Sequence, residues 1–149
     1  MEIQSIANDD LKTCAEIFVK VFNSPPWEEG WDASSALPRV QEIAGTPGFI
    51  GLKAVDEGRM VGFVMGYKES FGGGSDFSLK EMCVVPELQR QGIGKALLEE
   101  LKKQLRKAGA RTLYLLTSKE GPAARFYEKN GFQTSNKMFM MAHFLNPRK

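Results

Sequence analysis

The sequence contains few of the side chains that bind metals or form disulfides, and it has no long apolar run. Two cysteines, Cys14 and Cys83, and one histidine, His143, occur in 149 residues. The cysteines form no Cys-x-x-Cys pair, so we expect no metal site and favour free, packed thiols in a reducing compartment. His143 fits a packed or edge position better than a catalytic one. No apolar stretch approaches the roughly 20 residues of a membrane helix, so we expect no membrane partner.

Excess charge and targeting signals are also missing. The formal net charge of +2 at pH 7 is too small to require a nucleic acid, so none is expected as a partner. The N-terminus shows no basic patch followed by an apolar stretch, and we therefore expect no secretory signal and a cytoplasmic location. Internal repeats and low-complexity linkers are absent too. The chain is thus predicted to be a single domain over residues 1–149.

Hydrophobic periodicity predicts an α/β fold (an α+β mixed sheet) of about seven strands and four helices. The predicted helices cover 11–22, 34–44, 93–108 and 122–130. The predicted strands cover 2–7, 49–55, 60–67, 77–85, 112–117, 132–135 and 137–144. Hairpin-linked strands come first and a β-α-β-α unit follows, which favours one mixed, mostly antiparallel sheet with helices on both faces. The glycine-rich stretch after Phe71 is expected to be a mobile loop.

The most informative segment is the strand, loop and helix from Met82 to Lys95. Gly92 and Gly94 lie at the start of the helix, where the first N–H groups have no partner within the helix. Those N–H groups and the helix dipole favour an anion, and Arg90 and Lys95 add positive charge. The segment therefore predicts a phosphate or pyrophosphate site. It lacks the Gly-Lys-Ser/Thr and the third glycine of two common nucleotide motifs.

The run Gln89-Arg90-Gln91-Gly92-Ile93-Gly94 resembles the acetyl-CoA signature of the GNAT N-acetyltransferase superfamily, Gln/Arg-x-x-Gly-x-Gly/Ala. The order of predicted elements is also similar to that of the family. The resemblance implies a GNAT-like fold with acetyl-CoA (coenzyme A) as cofactor. It implies that the backbone of the preceding strand binds the pantetheine arm and that N–H groups from Arg90 to Lys95 bind the pyrophosphate. The strand residues so assigned are Met82, Cys83 and Val84.

A second block, from Glu120 to Phe132, is similar to the family pattern Asn-x-x-Ala-x-x-Phe-Tyr-x-x-x-Gly-Phe. Tyr127 matches a position where many members keep a tyrosine near the cofactor sulfur, which implies a general acid for the departing thiolate. Phe126, beside it, is placed with the cofactor-binding residues. The alternative is that Tyr127 only packs against Phe126 and Phe132. Glu120 stands where the family usually has asparagine, which puts that cofactor contact in doubt.

Acidic residues supply the candidates for the general base. Glu81 precedes the proposed pantetheine strand segment by one residue, and similar enzymes often use an acid near this place. Its alternative role is that of a solvated or ion-paired strand carboxylate. Glu28, Glu29 and Asp32 are further candidates. For the oxyanion of the tetrahedral intermediate, a backbone N–H near Val84 is the candidate donor. The resemblance implies that a β-bulge between two central strands exposes such a group.

Both tryptophans of the chain fall in the segment between the first two predicted helices. Trp27, Glu28, Glu29 and Trp31 place aromatic rings beside carboxylates, a combination that suits a cationic amine. In similar enzymes this loop forms a wall of the acceptor site, so these four residues are predicted to bind the substrate. The alternative is that the tryptophans only anchor the loop to the core.

Two functions fit these patterns. The first is an acyl-CoA-dependent N-acetyltransferase that attacks the thioester directly with a primary amine of a small molecule or peptide. The second is a non-catalytic acetyl-CoA-binding sensor or interaction module, which would need Gln89 to Lys95 but neither Tyr127 nor Glu81. A homodimer is possible under both. The acceptor loops of one fold vary freely, so the sequence does not identify the amine.

Overall fold

A mixed five-stranded sheet forms the centre of the computed structural model, which describes residues 1–146. The strands lie in the order β1-β2-β3-β4-β5, and every neighbouring pair is antiparallel except the parallel pair of β4 and β5. This arrangement confirms the predicted α/β class with a mixed, mostly antiparallel sheet. The elements are β1 (Glu2–Ser5), α1 (Leu11–Phe22), α2 (Ala33–Ala44), β2 (Phe49–Asp56), β3 (Arg59–Phe71), β4 (Gly74–Val84), α3 (Ile93–Lys107), β5 (Ala110–Tyr114) and α4 (Pro122–Lys129).

Helices cover both faces of the sheet. Phe63, Val64 and Met65 are consecutive on β3 and fully buried, and consecutive strand residues point to opposite faces. A Cβ on Gly62 would lie 3.4 Å from Ile93, so α3 covers that face. Met65 points to the other face, where its partner Glu81 on β4 contacts α2. The helix α1 packs against α2. The site residues on β4 therefore lie at the centre of a layered structure.

The glycine-rich stretch after Phe71 is a tight hairpin turn between two strands, and the prediction of a longer loop there was wrong. Phe71 pairs with Gly74, so β3 and β4 continue up to the turn. The two intervening residues, Gly72 and Gly73, both have positive φ, of 47° and 85°. Two consecutive positive-φ residues make the kind of turn whose twist matches a hairpin. Glycine here ends the strands sharply rather than forming a lid.

The chain divides into two compact units, Met1–Thr117 and Ser118–Lys149. The first holds the whole sheet with α1, α2 and α3, and the second holds α4. The predicted strands over 132–135 and 137–144 are not present in the described residues, so the sheet has five strands rather than seven. Alternating apolar residues form a strand only where a neighbouring strand completes the hydrogen-bond ladder. The single domain over 1–149 stays a prediction.

Candidate active site

A β-bulge in β4 sets the geometry of the candidate site. Met65 of β3 lies opposite Glu81, but the next residue, Gly66, lies opposite Leu79, so Lys80 is the extra residue of β4. A Cβ at Gly66 would approach the carbonyl oxygen of Ser78 to 2.1 Å, which only glycine avoids. A bulge bends the strand and redirects its side chains. The β-bulge expected from the sequence is therefore present, one residue before Glu81.

Beyond the bulge, one edge of β4 lacks a partner strand. The parallel pairing with β5 covers only Ser75 to Ser78 of β4. Within residues 1–146, the part of β4 that follows pairs with β3 alone. A strand edge without a partner presents N–H and C=O groups to another extended molecule. Met82, Cys83 and Val84, the residues predicted to bind pantetheine, lie on this stretch.

The turn into α3 has the geometry of an anion site. Gly92 is the N-cap residue, with a φ of 86° and no side chain to cap the helix. The N–H groups of Ile93, Gly94 and Lys95 follow it in the first turn and have no intrahelical acceptor. Arg90 also has a positive φ, of 66°, and such turns gather N–H groups into an anion-binding concavity. No heavy atom outside the adjacent residues lies within 4 Å of a Cβ built on Gly92, so the site is open.

Gln89 links this turn to β4. Its side-chain amide donates a hydrogen bond of 3.0 Å to the carbonyl oxygen of Val84. This hydrogen bond connects the start of α3 to the unpaired edge of β4. Gln91 and Lys95 are exposed beside it. The uncapped helix entrance and the strand edge fit two adjoining parts of coenzyme A, the pyrophosphate and the amide-containing arm.

Glu81 is the most perturbed carboxylate of the described residues. Its side chain is only 13% exposed and forms an ion pair with Arg39 of α2, with 3.2 Å between Nη2 and Oε1. Burial raises the pKa of Glu81 to about 7, although the Arg39 guanidinium opposes the rise and the Glu29 carboxylate adds to it. A carboxyl group with a pKa near neutrality suits proton transfer at physiological pH. Of the two roles that the sequence offered, the ion-paired one is observed, and the role as a base stays a prediction.

The loop between α1 and α2, predicted to bind the acceptor, is anchored by its tryptophans. The Trp31 ring contacts Phe18 with 4.8 Å between centroids, and the Trp27 ring contacts Phe22 at 5.4 Å. Trp31 also donates from Nε1 to Glu29 at 2.8 Å. These contacts favour the anchoring role for the rings. Glu28 and Glu29 are exposed, and the influence of Glu29 on the pKa of Glu81 brings this loop to the electrostatic neighbourhood of the candidate base.

Asp32 is occupied as the N-cap of α2. Its carboxylate accepts hydrogen bonds from the Ser35 N–H at 2.9 Å and the Ser34 hydroxyl at 2.7 Å. Hydrogen bonds from Ser34 and Ser35 lower the pKa of Asp32, and a weakened base is poorly suited to accept a proton. Among the alternatives to Glu81, this leaves Glu28 and Glu29.

Tyr127 and Phe126 belong to the second unit. Tyr127 lies on α4, and its ring contacts the rings of Phe126 and Phe132, each with 5.3 Å between centroids. Glu120 lies just before this helix and is exposed. The aromatic cluster is the packing that the alternative interpretation of Tyr127 described. The catalytic role of Tyr127 and the cofactor contact of Phe126 stay predictions.

Arg39 is the site residue that the sequence did not reveal. It lies on α2 three residues after buried Ala36 and next to buried Val40, so it stands at the border of the apolar face. A cation at that border is an ordinary helix feature. Its pairing with Glu81 joins residues 42 positions apart, so no local sequence pattern indicates it.

Comparison with known proteins gives the same family as the motif. The acetyltransferase (GNAT) domain matches residues 48–134, more than half of the chain. The ribosomal protein bS18-alanine N-acetyltransferase of Escherichia coli is 29% identical over 131 residues, which are 87% of this chain and 79% of that protein.

Solved structures show the same fold. A probable acetyltransferase has a TM-score of 0.81 at 21% identity and covers 99% of this chain and 100% of its own. An aminoglycoside N-acetyltransferase in complex with CoA has a TM-score of 0.75 at 16% identity, covering 95% and 93%. An aminoglycoside acetyltransferase from an uncultured soil metagenomic sample, in complex with sisomicin, has a TM-score of 0.76 at 18% identity, covering 97% and 96%.

Proposed function

Because this chain belongs to the GNAT acetyltransferase family, it is an acetyl-CoA-dependent N-acetyltransferase, and we propose that its acceptor is the α-amine of a peptide. The similarity to an enzyme named for the alanine of a ribosomal protein, over 87% of this chain, supports a peptide.

In the proposed reaction, Glu81 takes the proton from the attacking amine. A protonated amine has no lone pair, so the nitrogen attacks only when a base has removed its proton. A carboxylate with a pKa of about 7 is sufficiently ionised near neutral pH to accept that proton. The nitrogen then forms a bond to the thioester carbon. Exposed Glu28 and Glu29 attract the cationic form of the amine before this transfer.

Two further charges develop in the reaction, one on the carbonyl oxygen and one on the departing sulfur. A backbone N–H near Val84, on the unpaired edge of β4, donates to the oxyanion as the carbonyl becomes tetrahedral. When the carbon–sulfur bond breaks, the sulfur leaves as a thiolate and takes the proton of the Tyr127 phenol, and the nitrogen of the intermediate gives its second proton to the resulting phenolate as the amide forms. Gln89 to Lys95 hold the pyrophosphate through backbone N–H groups at the entrance of α3. Met82, whose backbone groups face the unpaired edge, extends hydrogen bonds to the pantetheine arm.

The single observation that carries this proposal is the buried, ion-paired Glu81 beside an unpaired strand edge. The test follows thiol release from acetyl-CoA with a peptide that begins with alanine, the same peptide with a blocked N-terminus, and an aminoglycoside. We expect acetylation of the free peptide alone, with the product confirmed by mass. Turnover of the aminoglycoside but not of the peptide would instead favour a small-molecule acceptor. No turnover with any amine would favour the acetyl-CoA-binding module.

A further inference from the structure

We infer that Arg39 is a positioning residue, which holds one oxygen of Glu81 and thereby presents the other oxygen to the acceptor amine. The inference rests on the proposed role of Glu81 as the base. Arg39 donates both Nε and Nη2 to the same oxygen, Oε1, at 3.4 and 3.2 Å. Within residues 1–146, no hydrogen bond occupies Oε2. The carboxylate is therefore held at one oxygen only.

The two hydrogen bonds from Arg39 are the principal restraint on the orientation of the Glu81 carboxylate. The carboxylate is on a rigid central strand, next to the bulge at Lys80, and its side chain is 13% exposed. A carboxylate so buried needs a hydrogen-bond partner to remain ionised. A lysine would keep the charge, but it lacks the planar pair of donors that fixes an orientation. The geometry of Arg39, and not only its charge, is thus expected to matter.

Three charged groups act on Glu81 from the elements around it. Arg39 on α2 favours the ionised form, Lys80 on β4 does so more weakly, and Glu29 on the loop before α2 opposes it. The thiol of Cys83, also on β4, stays neutral because burial raises its pKa. Arg39 therefore lowers the pKa of Glu81, and Glu29 raises it. Neutralising each in turn should move the titration of the base in opposite directions.

The test measures kcat/KM against pH with the acceptor identified by the amine panel, for wild type, Arg39→Gln, Arg39→Lys and Glu29→Gln. Loss of a neighbouring charge shifts a carboxyl pKa by about 1–3. In Arg39→Gln we expect the acidic limb to move to higher pH by about that amount, with activity partly recovered at pH 9. In Glu29→Gln the limb should move to lower pH. A residue with a purely structural role would change the height of the profile and leave the limb in place.

Arg39→Lys separates orientation from charge. We expect its acidic limb to stay close to that of wild type while kcat falls about 100-fold, the lower end of the typical contribution of a correctly placed base. Arg106→Gln, an exposed arginine on α3, is the matched control and should resemble wild type throughout. Thermal melting of each variant shows whether it is folded.

An acidic limb that does not move in Arg39→Gln would overturn the inference. If that variant does not fold, an unchanged kcat in Arg39→Lys would overturn it instead. If Glu81 is not the base at all, the result is distinguishable, because the Glu81→Gln variant would then retain the kcat and the pH dependence of the wild type. Failure of the proposed acceptor would appear earlier, as absence of turnover with the wild-type protein and the free peptide.

Discussion

At the scale of single residues, Glu81 shows how burial and one ion pair set the chemistry of a side chain. Its carboxylate is removed from water by the sheet, and the Arg39 guanidinium only partly offsets that loss of solvation. The result is a pKa of about 7 in place of the ordinary 4.5. A base with this pKa changes its protonation state in the same pH range in which an amine acceptor must be deprotonated. The same property has a measurable effect on stability.

Stability should depend on the ionisation of Glu81. The folded-state pKa of about 7 lies above the ordinary 4.5, so the native state holds an extra proton between these values. The contribution of this carboxyl group is complete below about pH 4.5 and is lost as the pH rises through about 7. The difference of about 2.5 in pKa corresponds to about 3 kcal/mol at most. Urea unfolding at pH 5 and pH 8 should therefore show wild type losing stability relative to Glu81→Gln.

The control for that comparison is Glu42→Gln, an exposed carboxylate on the same helix as Arg39. Its free energy of unfolding should follow that of wild type at both values of pH. If Glu81→Gln also follows wild type, the buried carboxyl group does not titrate in the range given above.

Tyr127→Phe tests the proposed general acid. Removing one hydroxyl from α4 keeps the ring contacts with Phe126 and Phe132. We expect kcat to fall about 100-fold, a typical contribution of general acid catalysis, with the KM for acetyl-CoA nearly unchanged. Tyr114→Phe is the matched control, because Tyr114 lies on β5 and its hydroxyl contacts Glu69. Steady-state kinetics in which both variants retain wild-type kcat would assign Tyr127 to packing alone.

At the scale of elements, Gly92 at the start of α3 has two requirements to meet: a positive φ and free space for a bound anion. Its φ of 86° disfavours any side chain, and Gly109, just past the end of the same helix, has a similar φ of 78°. Alanine at either position should cost about 1 kcal/mol of stability. Only Gly92→Ala should also raise the KM for acetyl-CoA, by about tenfold if one hydrogen bond to the pyrophosphate is lost. Equal KM values in both variants would remove the anion site from this turn.

The same helix illustrates how much of the fold the sequence could predict. Leucines and isoleucine at helical spacing predicted α3 within a residue of its observed bounds, Ile93–Lys107. Helix and strand positions follow from local periodicity, which a single segment carries by itself. The predicted strand over 137–144 had an apolar pattern as well, but a strand also requires a neighbour in space. Similarly, the two glycines after Phe71 were assigned to a loop because their turn type depends on φ.

The residues of the candidate site divide in the same way, into those that a local pattern predicts and those that only packing brings together. Gln89 and Gly92 could be predicted because their spacing along the chain is itself the signature. Arg39 could not, because its relation to Glu81 spans 42 positions and depends on a bulge. Long-range contacts of this kind arise from the packing of elements, not from any local pattern.

At the scale of the whole molecule, the core keeps both cysteines away from solvent. Cys14 and Cys83 are 0% and 2% exposed. Burial raises the pKa of Cys14 to about 12 and that of Cys83 well above its ordinary value, and only the thiolate reacts with common thiol reagents. We expect no modification of the native protein by a disulfide reagent at pH 8 and two modified thiols after denaturation. A fast reaction of the native protein would show that the core opens locally.

The described residues include no helix of sufficient length and apolar character to cross a bilayer. The larger unit is built around a sheet covered by helices on both faces. After Ser78, β4 and β5 separate and leave an opening between them. Acetyl-CoA that occupies this opening should raise the melting temperature, since a ligand that binds only the native state stabilises it.

The edge of β4 after Ser78, which has no partner strand among residues 1–146, also has a consequence for handling the protein. A central strand with free amides is a template for any passing extended chain, including one from another molecule. Concentrated stocks kept without nucleotide should therefore form oligomers slowly through edge-to-edge addition, and desulfo-coenzyme A in the buffer should suppress them. Light scattering during storage would follow that growth from day to day.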